Sequence, residues 1–296
     1  MNAQLKVLDV EVRRQGSLRK LIETSHEEPM DLLTSLPWSL GVDRSKPPKK
    51  VRQGWLTGTR FDAMLTPEQR HELLWLENAR DVSMFISLEQ VLPVLYVGYL
   101  NRHDRELMPE VRDYLMIFSK EEMVHIMSFR RYLEATGLPL YGPEASTQFA
   151  LQQLPQMPPV FGILYTLLIE WVAELGTMSA TQSAEVDPLT RALYRRHHVD
   201  EARHIAFARW VLESHFANAP EDELEQLRDM AKSQLERLIP AYTFNPGIAK
   251  YSSFEFPVDI EDEAQVREVT FSDANLALNA KRFKPMNEWL AKVGLT

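Results

Sequence analysis

The segment at positions 194–210, YRRHHVDEARHIAFARW, places His197, Glu201 and His204 at successive steps of four and three residues. An α-helix makes one turn every 3.6 residues, so these three side chains leave one helix in nearly the same direction. Two imidazoles and a carboxylate that converge on one point make half of a metal site. The segment therefore predicts a helix whose partner helices supply the remaining ligands.

Three earlier helical segments carry candidates for these ligands. A second Glu-x-x-His pair lies in the run SKEEMVHIMSF, and single glutamates interrupt two strongly apolar faces. One Glu from each of two helices and one Glu-x-x-His from each of two others form the ligand set of a carboxylate-bridged dimetal site in a four-helix bundle. One such pair alone is commonly a surface ion pair, but two pairs on separate long helices favour metal binding. In chain order the set is Glu89, Glu122, His125, Glu170, Glu201 and His204.

The composition of this set indicates the metal. Residues three apart lie one turn apart on a helix face, so a bridging carboxylate and a terminal imidazole reach the same metal pair. Four carboxylates balance two divalent cations, whereas without metal these buried groups would take up protons. Oxygen and nitrogen ligands without thiolate suit Fe(II) or Mn(II). The chain has no cysteine, which excludes disulfides, Fe–S clusters and cysteine nucleophiles.

Neighbouring residues extend the predicted site. Glu121 and Asp200 directly precede the two motif glutamates, and we expect them to accept hydrogen bonds across the bundle from His204 and His125, respectively. His197 lies one turn before Glu201 on the metal face and is a candidate third nitrogen ligand. Further residues are weaker candidates: Glu174 competes with Glu170 or supports it from outside the ligand set, Glu77 competes with Glu89, and His198 is expected to point away from the metals.

Apolar residues near the ligand positions are candidates for the wall of a substrate pocket. They are selected by helical spacing alone, and the same spacing also describes ordinary core residues. The candidates are Phe85, Tyr96, Met123, Tyr165 and Phe207.

Hydrophobic periodicity predicts an all-α fold for residues 61–296. The first core helix begins with a capping box, TPEQ, in which Thr66 is the N-cap and Gln69 the third helical residue. We expect a break near residues 77–81 and a kink at Pro93. Core helices are predicted at 66–102, 105–136, 160–183 and 187–216, a fifth from Pro220 to about Pro240, and short helices around Ala264, Ala274 and Asn287.

Residues 1–60 are predicted to form an N-terminal arm that packs on the helical body or on a partner subunit. The alternating run LKVLDVEV predicts a short strand within it. The basic residues Lys46, Lys49 and Lys50 are interpreted as a solvated surface.

Charge and hydropathy exclude two classes of partner. A net charge of −9 argues against nucleic acid. The first residues lack the apolar stretch of a signal peptide, and no segment reaches the roughly 18 uninterrupted apolar residues of a membrane span. We therefore expect a cytoplasmic protein without a membrane partner.

The ligand pattern, with His197 one turn before the last Glu-x-x-His, resembles the diiron arylamine N-oxygenase family, which makes the nitro groups of aureothin and chloramphenicol. The 31-residue step from Glu170 to Glu201 is also similar, and the resemblance covers roughly residues 66–216. It implies a homodimer with a ferritin-like four-helix bundle, a dimetal-carboxylate core and extra flanking helices. It also implies the ligand roles: Glu122 and Glu201 bridge the irons and are the catalytic carboxylates, Glu89 and His125 complete one iron, and Glu170, His197 and His204 complete the other.

The resemblance further implies a reaction. Two iron ions, with manganese as an alternative, would use O2 as co-substrate and electrons from an external donor, either a reductase or a small reductant. A peroxo-diferric intermediate would oxidise a small aromatic amine to the hydroxylamine and then to the nitroso or nitro product. The identity of the amine does not follow from the ligands.

Three other classes share part of the pattern. Acyl carrier protein desaturases have the same pair of motifs but lack the position of His197, and a ribonucleotide reductase small subunit needs a radical tyrosine near the site. A ferritin-like protein that stores or oxidises iron is usually shorter and has fewer histidine ligands. A helical interaction module without metal is disfavoured by Glu170, because a charged group in an apolar run is rarely buried unpaired.

Overall fold

The structure, a computed structural model, describes residues 8, 10–143 and 145–296. Within these residues all regular secondary structure is helical, which confirms the predicted all-α class. The α-helices are α1 (Val12–Glu27), α2 (Pro67–Glu89), α3 (Leu92–His103), α4 (Pro109–Thr136), α5 (Ala145–Gln153), α6 (Pro159–Thr181), α7 (Pro188–Phe216), α8 (Glu221–Thr243), α9 (Glu263–Thr270), α10 (Asp273–Arg282) and α11 (Lys284–Lys292).

Helices α2, α4, α6 and α7 form a four-helix bundle. Helix α6 packs along α7, α2 and its continuation α3 pack along α4, and α4 contacts α7. Helix α8 packs on α6, and α1 covers α4 and α7 from outside. The bundle has two apolar clusters, one containing Phe118 and Phe207 and the other Phe85 and Phe129.

The helix expected over 66–102 is divided in two. No break occurs at residues 77–81; the chain instead turns at residues 90 and 91, directly after Glu89. Pro93 then lies in the first turn of α3, where a missing backbone N–H removes no helical hydrogen bond. Glu89 is therefore the last residue of α2 and reaches the bundle interior from a helix end.

The N-terminal region contains a helix that the sequence analysis did not predict. Leu18 of α1 is completely buried. The strand predicted in LKVLDVEV covers residues 5–12; positions 5–7 and 9 lie outside the described residues, and Val12 is the first residue of α1. Lys49 is not a solvated residue, because its Nζ lies 2.9 Å from Glu77 Oε2 and 3.4 Å from Asp81 Oδ2 in a nearly buried cluster. Glu77 is thus paired with a lysine and does not compete with Glu89.

Two helical stretches, Pro67–His103 and Pro159–Thr181, are long and apolar enough to cross a membrane. Their most apolar windows are 56% and 78% buried inside the protein. Core helices of a bundle have the same length and composition, so these stretches are weak evidence for a membrane span.

Replacing Thr66 with alanine is expected to destabilise the fold by about 1 kcal/mol. Thr66 Oγ1 accepts a hydrogen bond from the Gln69 backbone N–H at 3.2 Å, and the Gln69 side chain accepts one from the Thr66 N–H at 2.9 Å. The substitution leaves the first of these N–H groups without its partner. Urea unfolding measures the loss, and Thr66→Ser, which keeps the hydroxyl, is the control. Equal stabilities of the two variants would show that the hydroxyl does not cap α2.

Candidate metal centre

Each helix of the bundle contributes to a cluster of acidic and histidine side chains in the interior. Every predicted ligand is at most 5% exposed. Glu89 comes from α2, Glu122 and His125 from α4, Glu170 from α6, and His197, Glu201 and His204 from α7.

The first group of converging ligand atoms belongs to Glu89, His125, His197 and Glu201, whose atoms lie within 4.8 Å of one another. His197 Nε2 is 3.1 Å from Glu89 Oε1 and 3.2 Å from Glu201 Oε1. His125 Nδ1 lies 3.5 Å from the same Glu201 oxygen. Three helices therefore meet at this group.

The second group consists of Glu122, Glu201 and His204. His204 Nδ1 lies 3.0 Å from Glu122 Oε1 and 3.3 Å from Glu201 Oε1. The other oxygen of Glu122, Oε2, is 3.7 Å from His125 Nδ1. Glu122 thus faces one histidine with each oxygen and Glu201 belongs to both groups, which is the arrangement that two carboxylates bridging a metal pair require.

Glu170 is buried near these groups but belongs to neither. Both of its oxygens have no hydrogen-bond partner among the described residues. Burial and the charges of Glu201 and Glu122 raise the pKa of Glu170 well above its usual value. A buried carboxylate without a donor is costly, and a cation is one means of offsetting that cost.

The hydrogen-bonding pattern of the whole cluster fits a pair of metal ions. Within the described part of the chain, most of its inward-facing atoms have no hydrogen-bond partner, although native proteins pair most buried polar atoms. Carboxylate oxygens and imidazole nitrogens are ligands that Fe(II) and Mn(II) accept. The unpartnered inward-facing atoms are Glu89 Oε2, both oxygens of Glu122 and of Glu170, Glu201 Oε2, and Nδ1 of His125 and His204.

The electrostatics of the cluster also reflect uncompensated carboxylates. Burial and the charge of Glu122 raise the pKa of Glu89 to about 7, against the opposing hydrogen bond from His197. Burial lowers the pKa of His125, but the hydrogen bond to Asp200 and the nearby carboxylate of Glu122 outweigh it and raise the pKa to about 9. Without bound cations, the cluster therefore retains protons, as expected for carboxylates concentrated in an apolar interior.

The structure brings together both predicted pairs of carboxylate and histidine. His125 Nε2 lies 3.1 Å from Asp200 Oδ2, and His204 Nε2 lies 2.8 Å from Glu121 Oε2. Since each Nε2–H donates to a carboxylate, the lone pair of Nδ1 is directed into the site.

His197 is held differently from the other two histidines. Its Nδ1 lies 3.4 Å from Glu174 Oε2, and Phe85 and Phe129 enclose its ring, each with 4.9 Å between ring centroids. These contacts direct Nε2 towards Glu89. His197 therefore groups with Glu89 and His125, whereas the resemblance implied that it groups with Glu170 and His204.

Two further side chains complete the site: Glu174, for which the sequence left open a supporting role outside the ligand set, and Arg203, which the sequence analysis did not name. Glu174 contacts His198 as well as His197, so His198 points to a carboxylate beside the site rather than to solvent alone. Arg203 contacts both Glu121 and Asp200. Its position three residues after Asp200 puts both side chains on one helix face, a spacing that is typical of an ion pair.

The predicted pocket residues are only partly near the centre. Phe85 contacts His197, while Tyr96 packs on Phe118 and its hydroxyl lies 3.2 Å from Thr166 Oγ1. Phe207 is buried against Tyr114 and Phe118. Phe118, which was not predicted, stacks on His204 with 3.6 Å between the ring centroids.

Met123 points away from the ligand cluster, and Tyr165 has no contact with the ligands among the described residues. Met123 is 52% exposed, because it follows Glu122 directly and adjacent helix residues point about 100° apart. Tyr165 is half-buried on the side of α6 that faces α8, where its carbonyl accepts a hydrogen bond from Gln234. The apolar side chains that contact the ligand histidines therefore come from positions about one helical turn before or after a ligand on the same helix face.

The fold and the buried cluster together define a ferritin-like helical protein with a dimetal-carboxylate site. Among solved structures, two variants of an R2-like ligand-binding oxidase with an anaerobically reconstituted Mn/Fe cofactor superpose with TM-scores of 0.55 and 0.54, at 16% identity and 96% coverage of both chains. A third variant gives a TM-score of 0.53 at 16% identity, with 92% of this chain and 95% of that chain covered. These similarities show the shared fold.

The family model of p-aminobenzoate N-oxygenase AurF matches residues 11–283, and the chain belongs to this family. The resemblance inferred from the ligand pattern is thereby confirmed. No protein of curated function has a significant match to the chain. Family membership makes the protein a dimetal oxidoreductase of the ferritin-like fold.

Proposed function

We propose that the protein is a non-haem dimetal N-oxygenase that uses O2 to oxidise an aromatic amine to its hydroxylamine and then to the nitroso or nitro compound. One observation carries the proposal: four carboxylates and three imidazoles are buried together in the interior, all but Glu170 in two converging groups, and most of their inward-facing atoms have no hydrogen-bond partner in the described part of the chain. That this cluster occurs in a member of the p-aminobenzoate N-oxygenase family supports the choice of reaction.

The proposed ligands would hold two iron ions, or one manganese and one iron, as in the oxidases that share the fold. Glu122 and Glu201 would bridge the pair, with the other ligands at its ends. When bound, the metal pair supplies electrons to O2 and activates it for transfer of an oxygen atom.

The residues of the chain would protect and orient this chemistry. Phe85, Phe118 and Phe129 place apolar rings against the histidines and exclude water from them. Glu121 and Asp200 hold two imidazole rings in one orientation, which keeps the ligand geometry constant through the reaction. An apolar surrounding also favours an uncharged aromatic amine over an alkylammonium ion, because burying an unpaired charge is costly.

The first oxidation requires an external donor. An amine R–NH2, one O2, two electrons and two protons give R–NHOH and one H2O, so one oxygen atom enters the N–O bond and the other leaves as water. A reductase or a small reductant would supply the electrons.

The proposal is tested with protein loaded anaerobically with two equivalents of Fe(II), reduced, and exposed to ¹⁸O2 in the presence of p-aminobenzoate. We expect hydroxylamine, nitroso or nitro product that carries ¹⁸O, detected by mass spectrometry. Glu122→Ala, treated identically, is expected to give none. Iron oxidation without any N-oxygenated product from a panel of arylamines would contradict the proposal and direct attention to acyl chains and aliphatic amines.

A further inference from the structure

Both carboxylates that hold the histidines share one further partner. Glu121 uses Oε2 for His204 Nε2, and its other oxygen, Oε1, accepts a hydrogen bond from Arg203 Nη2 at 2.9 Å. Asp200 uses Oδ2 for His125 Nε2, while its Oδ1 accepts from the same Arg203 nitrogen. A single guanidinium nitrogen therefore lies between the two carboxylates, one from α4 and one from α7.

The remaining donors of this arginine are also engaged. Nε donates to Ser25 Oγ of α1 at 2.9 Å, and Nη1 donates to the Val199 carbonyl at 3.3 Å. The Arg203 side chain is only 7% exposed. Arginine suits such a position because its planar group stays charged and offers several donors in a rigid arrangement.

We propose that Arg203 is a positioning residue that sets the orientation and the tautomer of two metal-facing histidines at once, His204 through Glu121 and His125 through Asp200. The inference rests on the proposed dimetal site. Arg196 Nη1 also donates to Asp200 Oδ1, at 2.8 Å, so without Arg203 the outer oxygen of Glu121 loses its contact and that of Asp200 keeps only Arg196. The two carboxylates then repel each other with one cation fewer between them. Each can then rotate away from its histidine, and Nδ1 is no longer held towards the metals.

The two halves of the bundle differ at the position of this arginine. Arg203 directly precedes His204 on α7, and the equivalent residue on α4, directly before His125, is Val124. Valine has no side-chain donor, so the arginine of α7 serves the histidines of both helices. One substitution at Arg203 is therefore expected to affect two histidines on different helices, which a defect confined to α7 would not do.

The test uses the full chain loaded with Co(II), whose unpaired electrons shift the proton signals of bound imidazoles. In wild-type protein, the Nε2–H signals of His125 and His204 should exchange slowly with solvent, because each donates to a buried carboxylate. In Arg203→Met, both are expected to exchange roughly tenfold faster, the scale set by a weakened hydrogen bond to a charged group. Co(II) affinity should fall by roughly 10- to 100-fold, as for other residues that support metal ligands.

Two controls separate positioning from a loss of structure. Arg195→Met makes the same change on an exposed residue of α7 and should alter neither signal. The Nδ1–H signal of His197, which faces Glu174 instead, should also be unchanged in Arg203→Met. Arg203→Lys keeps the positive charge in a residue of similar length. We expect its Co(II) affinity to lie between those of wild type and Arg203→Met, and it remains a test of the inference if Arg203→Met folds poorly.

The outcomes are distinct. Slow exchange of both signals and unchanged affinity in Arg203→Met would overturn the inference, as would a change in only one of the two histidines. If wild type does not bind two Co(II) ions, the inference and the proposed function both fail. If it binds two Co(II) ions and shows the expected exchange but the iron form oxidises no arylamine, only the proposed function fails.

Discussion

Glu122→Ala and Glu201→Ala are each expected to abolish the binding of two metal ions per chain. Glu201 Oε1 lies within 3.5 Å of a nitrogen of all three histidines, and Glu122 faces His204 at 3.0 Å and His125 at 3.7 Å. Either substitution removes the ligand that joins the two groups and a negative charge that balances the cations. Iron per chain, measured after Fe(II) loading and desalting, should fall from two to at most one.

The loss of metal is not expected to reflect unfolding. Burial and repulsion from Glu201 and Glu122 raise the pKa of Glu170, so either substitution relieves one unfavourable interaction in the metal-free protein. It also removes a favourable one, because burial raises the pKa of Glu201 but the charges of His204 and His197 hold it well below its usual value. The apolar clusters of the bundle are unchanged, so far-UV circular dichroism of each metal-free variant at the temperature of the iron measurement should show the helix content of wild type. Glu134→Ala, on the exposed face of α4, is the matched control and should retain two irons. Two irons in either bridging variant would contradict the assignment.

Gly176→Ala is expected to destabilise the fold by about 3 kcal/mol, the upper part of the usual range for overpacking. A Cβ at position 176 would lie 1.7 Å from the hydroxyl oxygen of Tyr242, 2.2 Å from its Cζ and 2.5 Å from its Cε1. Tyr242 is 3% exposed, so its ring has no free space into which it can move. The close approach of α8 to α6 therefore requires glycine here. Urea unfolding of the metal-free protein measures the loss.

Gly162 on the same helix provides a matched comparison. Its Cβ would lie 1.9 Å from the Tyr99 hydroxyl oxygen, but the next atoms, Tyr99 Cζ and Leu95 Cδ1, are 3.2 and 3.3 Å away. Adding Tyr99→Phe to Gly162→Ala should thus recover most of the stability. Adding Tyr242→Phe to Gly176→Ala should recover little, because ring carbons remain in collision. Equal recovery in the two double variants would disprove this account of the α6–α8 contact.

The elements predicted well from the sequence are those that depend on local periodicity. The capping box at Thr66 is formed, and the helices of the bundle occupy the segments chosen by their apolar faces. The pairs Glu122 with His125 and Glu201 with His204 lie side by side because residues three apart share a helix face in any α-helix. Such information needs no knowledge of the neighbouring helices.

The errors concern contacts between distant segments. Lys49 was taken as solvated, although it neutralises Glu77 and Asp81 across an interface that no local pattern describes. The chain turns directly after Glu89 and not at residues 77–81, where a break in the helix was expected. Packing between helices decided this position.

The sequence by itself determined which residues can serve as ligands and which helices carry them, since an α-helix converts spacing directly into direction. Only the tertiary structure decided how the ligands are grouped and held. His197 faces Glu89 because Phe85, Phe129 and Glu174, from three other helices, enclose its ring. Arg203 reaches Ser25 across 178 positions of the chain. Contacts of this kind depend on how helices pack together, and helical periodicity within one segment contains no information about them.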